Sequence, residues 1–193
     1  MDMQIKKALR PARYYFELAL RIYVWVKLSL YGFGKILGGQ FYRPGKFPTE
    51  IKLITLENAG GFDLAWTFFG FSQQYIYFIG ISQIIGAFLL LFEKTKIAGM
   101  LILVPILLNI IVMDYIFGIP QGALLSAICY FTALCMIAYM NKRTIVRMIV
   151  AMTTVDNTGR ITVKGKIISI VIAAVIVFIL LLLENQLMRS TGG

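Results

Sequence analysis

The run IISIVIAAVIVFILLLL, from Ile167 to Leu183, contains no charged side chain and only one polar one, Ser169. A helix rises about 1.5 Å per residue, so such a run nearly crosses a hydrocarbon core of about 30 Å. In water it would expose apolar surface on every face. Four more stretches approach the same character: Tyr14–Leu37, Trp66–Phe92, Ile97–Phe117 and Ala123–Met140. The first is the most polar, since it holds Glu17, Arg21, Lys27 and Lys35. With 59% hydrophobic residues in 193, the chain lies above the roughly 45–50% of soluble domains. The sequence therefore predicts an all-α, polytopic membrane helix bundle with five spans and the lipid bilayer as its first partner.

The formal net charge of +10 invites a nucleic-acid reading, but the placement of the charges argues against one. In a five-span topology, Lys6, Lys7, Arg10, Arg13, Lys94, Lys96, Lys142, Arg143, Arg147, Arg160, Lys164 and Lys166 share one side. Arg43, Lys46, Lys52 and Arg189 fall on the other. By the positive-inside rule this bias puts the N terminus in the cytoplasm and the C terminus outside, in a plasma or inner membrane. The basic clusters also suit anionic lipid heads, and no nucleic-acid partner is expected. MDMQIKKALRPARYYF has no short apolar region with a cleavage site, so the first span reads as an uncleaved insertion signal.

The sequence divides into a basic cytoplasmic lead (1–13), a four-span core (14–140) with an outer loop at 39–65, a cytoplasmic linker (141–166) and a fifth span (167–189). Within the outer loop, RPGKFP is turn chemistry and TEIKLITLE predicts a short surface helix ended by NAGG. Pro11 fits a first helical turn. In the linker, TTVDNTGRITVKGK suggests a small hairpin.

Histidine is absent. That removes His-ligated haem and His-containing zinc sites, the two-His iron site and the common general base. Cys129 and Cys135 are expected about 9 Å apart along one helix, too far for a disulfide, and are predicted to be buried. No phosphate-binding loop occurs. No catalytic residues, metal or resident cofactor are predicted, and the chain reads as more accessory than enzymatic.

Polar residues within spans are candidate functional positions. With the outer boundary at Gly39, Trp66 and Phe117, helical rise places Lys35, Gln73, Gln74 and Asn109 roughly 6–12 Å deep. Gln40, Asp63 and Asp114 lie above them. These seven residues form a predicted outward-facing layer for a ligand or partner. On the inner side, Gln83 and Arg21 come out at roughly 25 Å and 27 Å depth, and Glu17 precedes Arg21 by four residues, an ion-pair spacing. Glu17, Arg21 and Gln83 are therefore predicted to form a structural network. Lys27 lies off this stripe near mid-span. It must snorkel, line a water-filled gap, or mark a tilted interfacial start. Gly80 allows close helix approach, and Pro105 is expected to kink the third span.

Three stretches resemble the DoxX-like membrane family: LRIYVWVKLSLYGFGKILGGQF (Leu20 to Phe41), WTFFGFSQQYIYFIGISQIIGAFLLLFEKTKIAG (Trp66 to Gly99) and ILLNIIVMDYIFGIP (Ile106 to Pro120). The resemblance implies a four-helix DoxX-like core with the fifth span as an appendage. Gln83 stands where the family often has glutamate, and Asp114 replaces a histidine near the end of span three. Family members resemble thiosulfate:quinone oxidoreductase subunits, join other membrane oxidoreductase assemblies, or act as chaperones and cargo receptors. The leading expectation is an accessory protein that binds a membrane or secreted protein partner, or a small lipophilic ligand. The alternative is a subunit of a quinone-linked oxidoreductase, in which Lys35, Tyr31 and Gln73 hold a quinone carbonyl. A small transporter ranks below both, since the chain shows no internal repeat.

Overall fold

The computed structural model of the chain describes residues 2–154 and 163–191, and all regular structure there is helical. The elements are α1 (Asp2–Leu37), α2 (Thr49–Lys52), a 3-10 turn (Leu56–Asn58), α3 (Gly61–Gly70), α4 (Gln73–Leu91), α5 (Lys96–Ile116), α6 (Gln121–Met140), α7 (Lys142–Thr153) and α8 (Val163–Thr191). Two compact units result, Met1–Met148 and Ile149–Gly193.

Four helices are long and apolar enough to cross a membrane: α4, α5, α6 and the Gly165–Glu184 part of α8. The protein is thus a helical integral membrane protein. The predicted first span, α1, is long at 36 residues but too polar to be recognised by composition. Three of its charges turn inward, however: Glu17, Arg21 and Lys35 are all buried. Lys27 is exposed, so it does not line the bundle interior.

In the first unit α1, α4, α5 and α6 form a closed ring. α1 packs on α4, α4 on α5, α5 on α6, and α6 returns to α1, while α3 leans on α4. Lipid tails are as apolar as leucine, so the ring depends on close fit more than on hydrophobic burial. The sequence supplies small residues where helices meet. A Cβ on Gly32 of α1 would come within 2.7 Å of Ile84 and 3.0 Å of the Gly80 carbonyl oxygen on α4. A Cβ on Gly99 of α5 would sit 2.7 Å from both the Gly86 oxygen and the Leu90 nitrogen of α4. Between these seams lies a buried layer of Val24, Leu28, Leu90, Leu103, Leu107, Leu134 and Ile137.

Several boundaries differ from the sequence reading. The lead at 1–13 is not separate, because α1 starts at Asp2 and continues through Pro11. The second predicted span breaks at Phe71 and Ser72, between α3 and α4. Ser72 caps α4, its hydroxyl accepting from the Tyr75 amide, and this satisfies an amide that an unbroken helix would have bonded internally. The surface helix in the outer loop shortens to α2 and the 3-10 turn. α5 runs through Pro105 without interruption. Half of the predicted linker is α7, with apolar residues spaced along one side of a basic helix. The central part of the predicted hairpin lies outside the described residues. Cys129 and Cys135 are unpaired but exposed, not buried, because they sit on the face of α6 turned away from the ring.

Candidate functional site

Polar residues gather at two levels of the ring. At one end, Glu17 and Arg21 of α1 meet Glu93 in the α4–α5 turn, Lys96 at the start of α5 and Asn141 after α6. The Arg21 guanidinium donates to Glu93 Oε1 at 2.6 Å and lies 3.6 Å from Glu17. Lys96 Nζ is 2.7 Å from Glu17 Oε1 and 2.6 Å from Glu93 Oε2. Asn141 Nδ2 donates to Glu17 at 3.0 Å and to the Ile137 carbonyl at 2.8 Å. Two carboxylates thus face two cations, so the cluster is neutral and its members largely satisfy one another. A nearby hydrogen bond from Arg13 to the Met140 carbonyl also joins α1 to α6. This is a clamp across three of the helix junctions, in which only the Arg21 Nε is left buried without a hydrogen-bond partner among the described residues.

Burial opposes ionisation of Glu93, but the hydrogen bonds and charges of Lys96 and Arg21 outweigh it and hold its carboxyl below the usual carboxylate range. A folded-state value below the unfolded one contributes stability above the unfolded pKa of about 4.3, and that stability is lost as pH falls through the folded value. The melting temperature in mild detergent is therefore expected to hold from neutrality to about pH 5 and to fall in more acid buffer. Glu93→Gln should flatten part of that fall. An unchanged acid profile in this variant would remove Glu93 as its source.

At the other end a cavity of about 520 Å³ opens between α1, α3, α4, α5 and α6. Trp66, Phe69, Phe78, Ile102 and Ile106 give it apolar walls, and Lys35, Gln40, Gln83, Asn109 and Asp114 place polar groups on it. Pro105 and Asn109 line it and stay accessible, so it is not sealed. Gln83 is 1% exposed. Its Oε1 accepts from Lys35 Nζ at 3.2 Å, and its Nε2 donates to the Leu28 carbonyl at 2.9 Å. Lys35 Nζ also lies 5.8 Å from the Tyr31 ring centroid.

The segment after α1 forms one wall. Arg43 donates to the Lys35 and Ile36 carbonyls at 2.7 and 3.0 Å, closing the end of α1. Phe41 has a left-handed backbone with φ of 68°, which costs an aromatic residue energy and calls for compensation. Its ring lies 5.5 Å from Trp66 and 5.4 Å from Phe69 on the cavity wall. Tyr42 hydrogen-bonds Asp63 at 3.0 Å and, through its amide, the Trp66 carbonyl at 3.1 Å. Burial, aided by Asp63, pushes the Tyr42 phenol up.

The predicted outward layer therefore separates. Lys35, Gln40, Asn109 and Asp114 come together on the cavity. Gln73 and Gln74 do not; they line a shallow pocket with Arg43 and Lys46, and Gln74 receives the Ser72 hydroxyl at 2.9 Å. Asp63 is held by Tyr42. In the predicted inner network, Glu17 and Arg21 meet, but Gln83 joins Lys35 instead. The break at Ser72 explains this: measured from the start of α4, Gln83 is only about 15 Å deep. Lys35 meanwhile reaches back toward the start of α1, the direction helical side chains lean. Glu93, Lys96 and Asn141 complete the network and are not among the residues the sequence assigns to it. The Glu93-Lys96 spacing was visible, but its level against Glu17 depended on how the helices align.

No family model matches the chain, and no solved structure matches it. The uncharacterized protein YwoB of Bacillus subtilis (strain 168) is 38% identical over 116 residues, which cover 60% of this chain and 70% of that protein. That extent of identity exceeds what shared hydrophobicity produces, and the chain belongs to the same family as YwoB.

Proposed function

We propose that this protein is an accessory, non-catalytic membrane protein that holds a small lipophilic ligand in the cavity beside Lys35 and Gln83. The carrying observation is a cavity of about 520 Å³ with apolar walls and a few convergent polar groups, the usual form of a small-molecule site. The neutral, self-satisfied clamp at the far end supports a structural role there. The four-helix ring supports the DoxX-like reading of the three stretches. The charge bias supports a plasma- or inner-membrane location, a cytoplasmic N terminus and an outside C terminus. Native mass spectrometry after detergent-free extraction from the protein's own membrane tests the reading. It should report a bound small molecule that disappears in Ser82→Trp, which fills the cavity from its wall. A protein that carries no such mass, or an identical mass in the folded variant, would overturn it.

A second reading is favoured by the aromatic wall. Trp66, Phe69 and Phe78 suit a flat ring, and Lys35 and Tyr31 suit its oxygens. A quinone-linked oxidoreductase subunit would use the cavity this way. The bound mass in the same experiment, a quinone or another lipophile, separates the two.

A further inference from the structure

The charges on the cavity wall narrow the kind of head group that fits. Lys35 enters from α1 and Asp114 from α5. The Lys35 ammonium has three N–H donors, and among the described residues its one hydrogen bond goes to Gln83. The Asp114 side chain is half-buried and has no hydrogen bond or ion pair among the described residues. The two charges act on each other without meeting in an ion pair. The cavity thus presents unused donors on one wall and an unused acceptor on another, with no net charge. Asn109, on α5 as well, offers an amide that can serve either way.

We infer that the site selects an uncharged lipophile whose polar head both accepts and donates a hydrogen bond, as a long-chain alcohol or a monoacylglycerol does. An anionic head would pair with Lys35 but face Asp114 in a medium of low dielectric, where like charges repel strongly. A cationic head meets the reverse difficulty. An ester or ketone accepts from Lys35 and leaves Asp114 with nothing to receive. A hydroxyl accepts from the ammonium and donates to the carboxylate, and its chain lies against Trp66, Phe69 and Phe78. This inference depends on the ligand reading above.

The test uses the full chain in lipid nanodiscs, with four twelve-carbon probes added at equal mole fraction: dodecan-1-ol, methyl dodecanoate, dodecanoate and dodecyltrimethylammonium. Occupancy is read by native mass spectrometry, with Ser82→Trp marking probe bound outside the cavity. Hydrogen bonds to charged groups lead us to expect dodecan-1-ol to exceed each other probe by about tenfold. Asp114→Asn should shift preference to dodecanoate, because the cation then stands alone. Lys35→Gln should shift it to dodecyltrimethylammonium. The half-exposed Asp114 carries the test if the Lys35 variant fails to fold. Dodecanoate strongest in the unmodified protein, or four equal probes, would overturn the inference and leave the cavity a ligand site. Probe binding that Ser82→Trp does not reduce would overturn both.

Discussion

Replacing Arg21 with methionine should destabilise the protein by about 3 kcal/mol, the cost of breaking a buried ion pair from one side. Arg21 is 2% exposed. Without it, Glu17 and Glu93 share one cation, Lys96, with Asn141 still donating to Glu17, and Glu17 stays buried with an excess of negative charge at the cluster. Glu93 is half-exposed, and water will offset part of its loss, which places the effect toward the lower end of the range for buried pairs. Thermal unfolding in mild detergent, followed by the fluorescence of Trp25 and Trp66, reads it. The double variant Arg21→Met/Glu93→Gln should recover part of the loss, because it removes a carboxylate with the cation. A single variant that melts with the unmodified protein would show that the cluster does not clamp the ring.

Gly99→Ala should cost about 1–3 kcal/mol, as overpacking does, despite the roughly 1 kcal/mol that alanine gains over glycine inside a helix. The added methyl would meet backbone atoms of Gly86 and Leu90 at 2.7 Å. Backbone cannot rotate aside, so α4 and α5 must separate. Gly34→Ala is the control: it lies in α1 with nothing within 4 Å of a new Cβ, and helix propensity alone predicts a neutral or stabilising change. Equal melting temperatures for the two variants would refute the close α4–α5 seam.

The apolar runs that became α4, α5, α6 and α8 were legible because length and hydropathy are local properties. So was the Glu17–Arg21 spacing, which needs one helix. The break at Ser72 was not read, since the aromatic residues on both sides make Trp66 to Phe92 apolar throughout, and a single capping serine decides where the amide bonds restart. That one break then misplaced Gln83 by roughly 10 Å, the rise from Trp66 to Gln73. Lys35 was placed by its backbone depth, whereas a lysine's charge lies at the end of a long flexible stem. Glu93 and Asn141 belong to turns, and only the alignment of three helices reveals that they share a level with Arg21.

The leucine layer beneath the cavity has a consequence for traffic. Leu28, Leu103, Leu107 and Leu134 close the ring below Gln83, and the ion-pair cluster locks it again beyond them. Leu28 and Leu107 also line the cavity, so in the ligand reading a molecule beside Lys35 rests on this floor and exchanges past the accessible Pro105 and Asn109. A pocket floored in this way holds its guest and does not conduct it. Its occupancy would follow the ligand's chemical potential outside the mouth, as a gauge follows pressure.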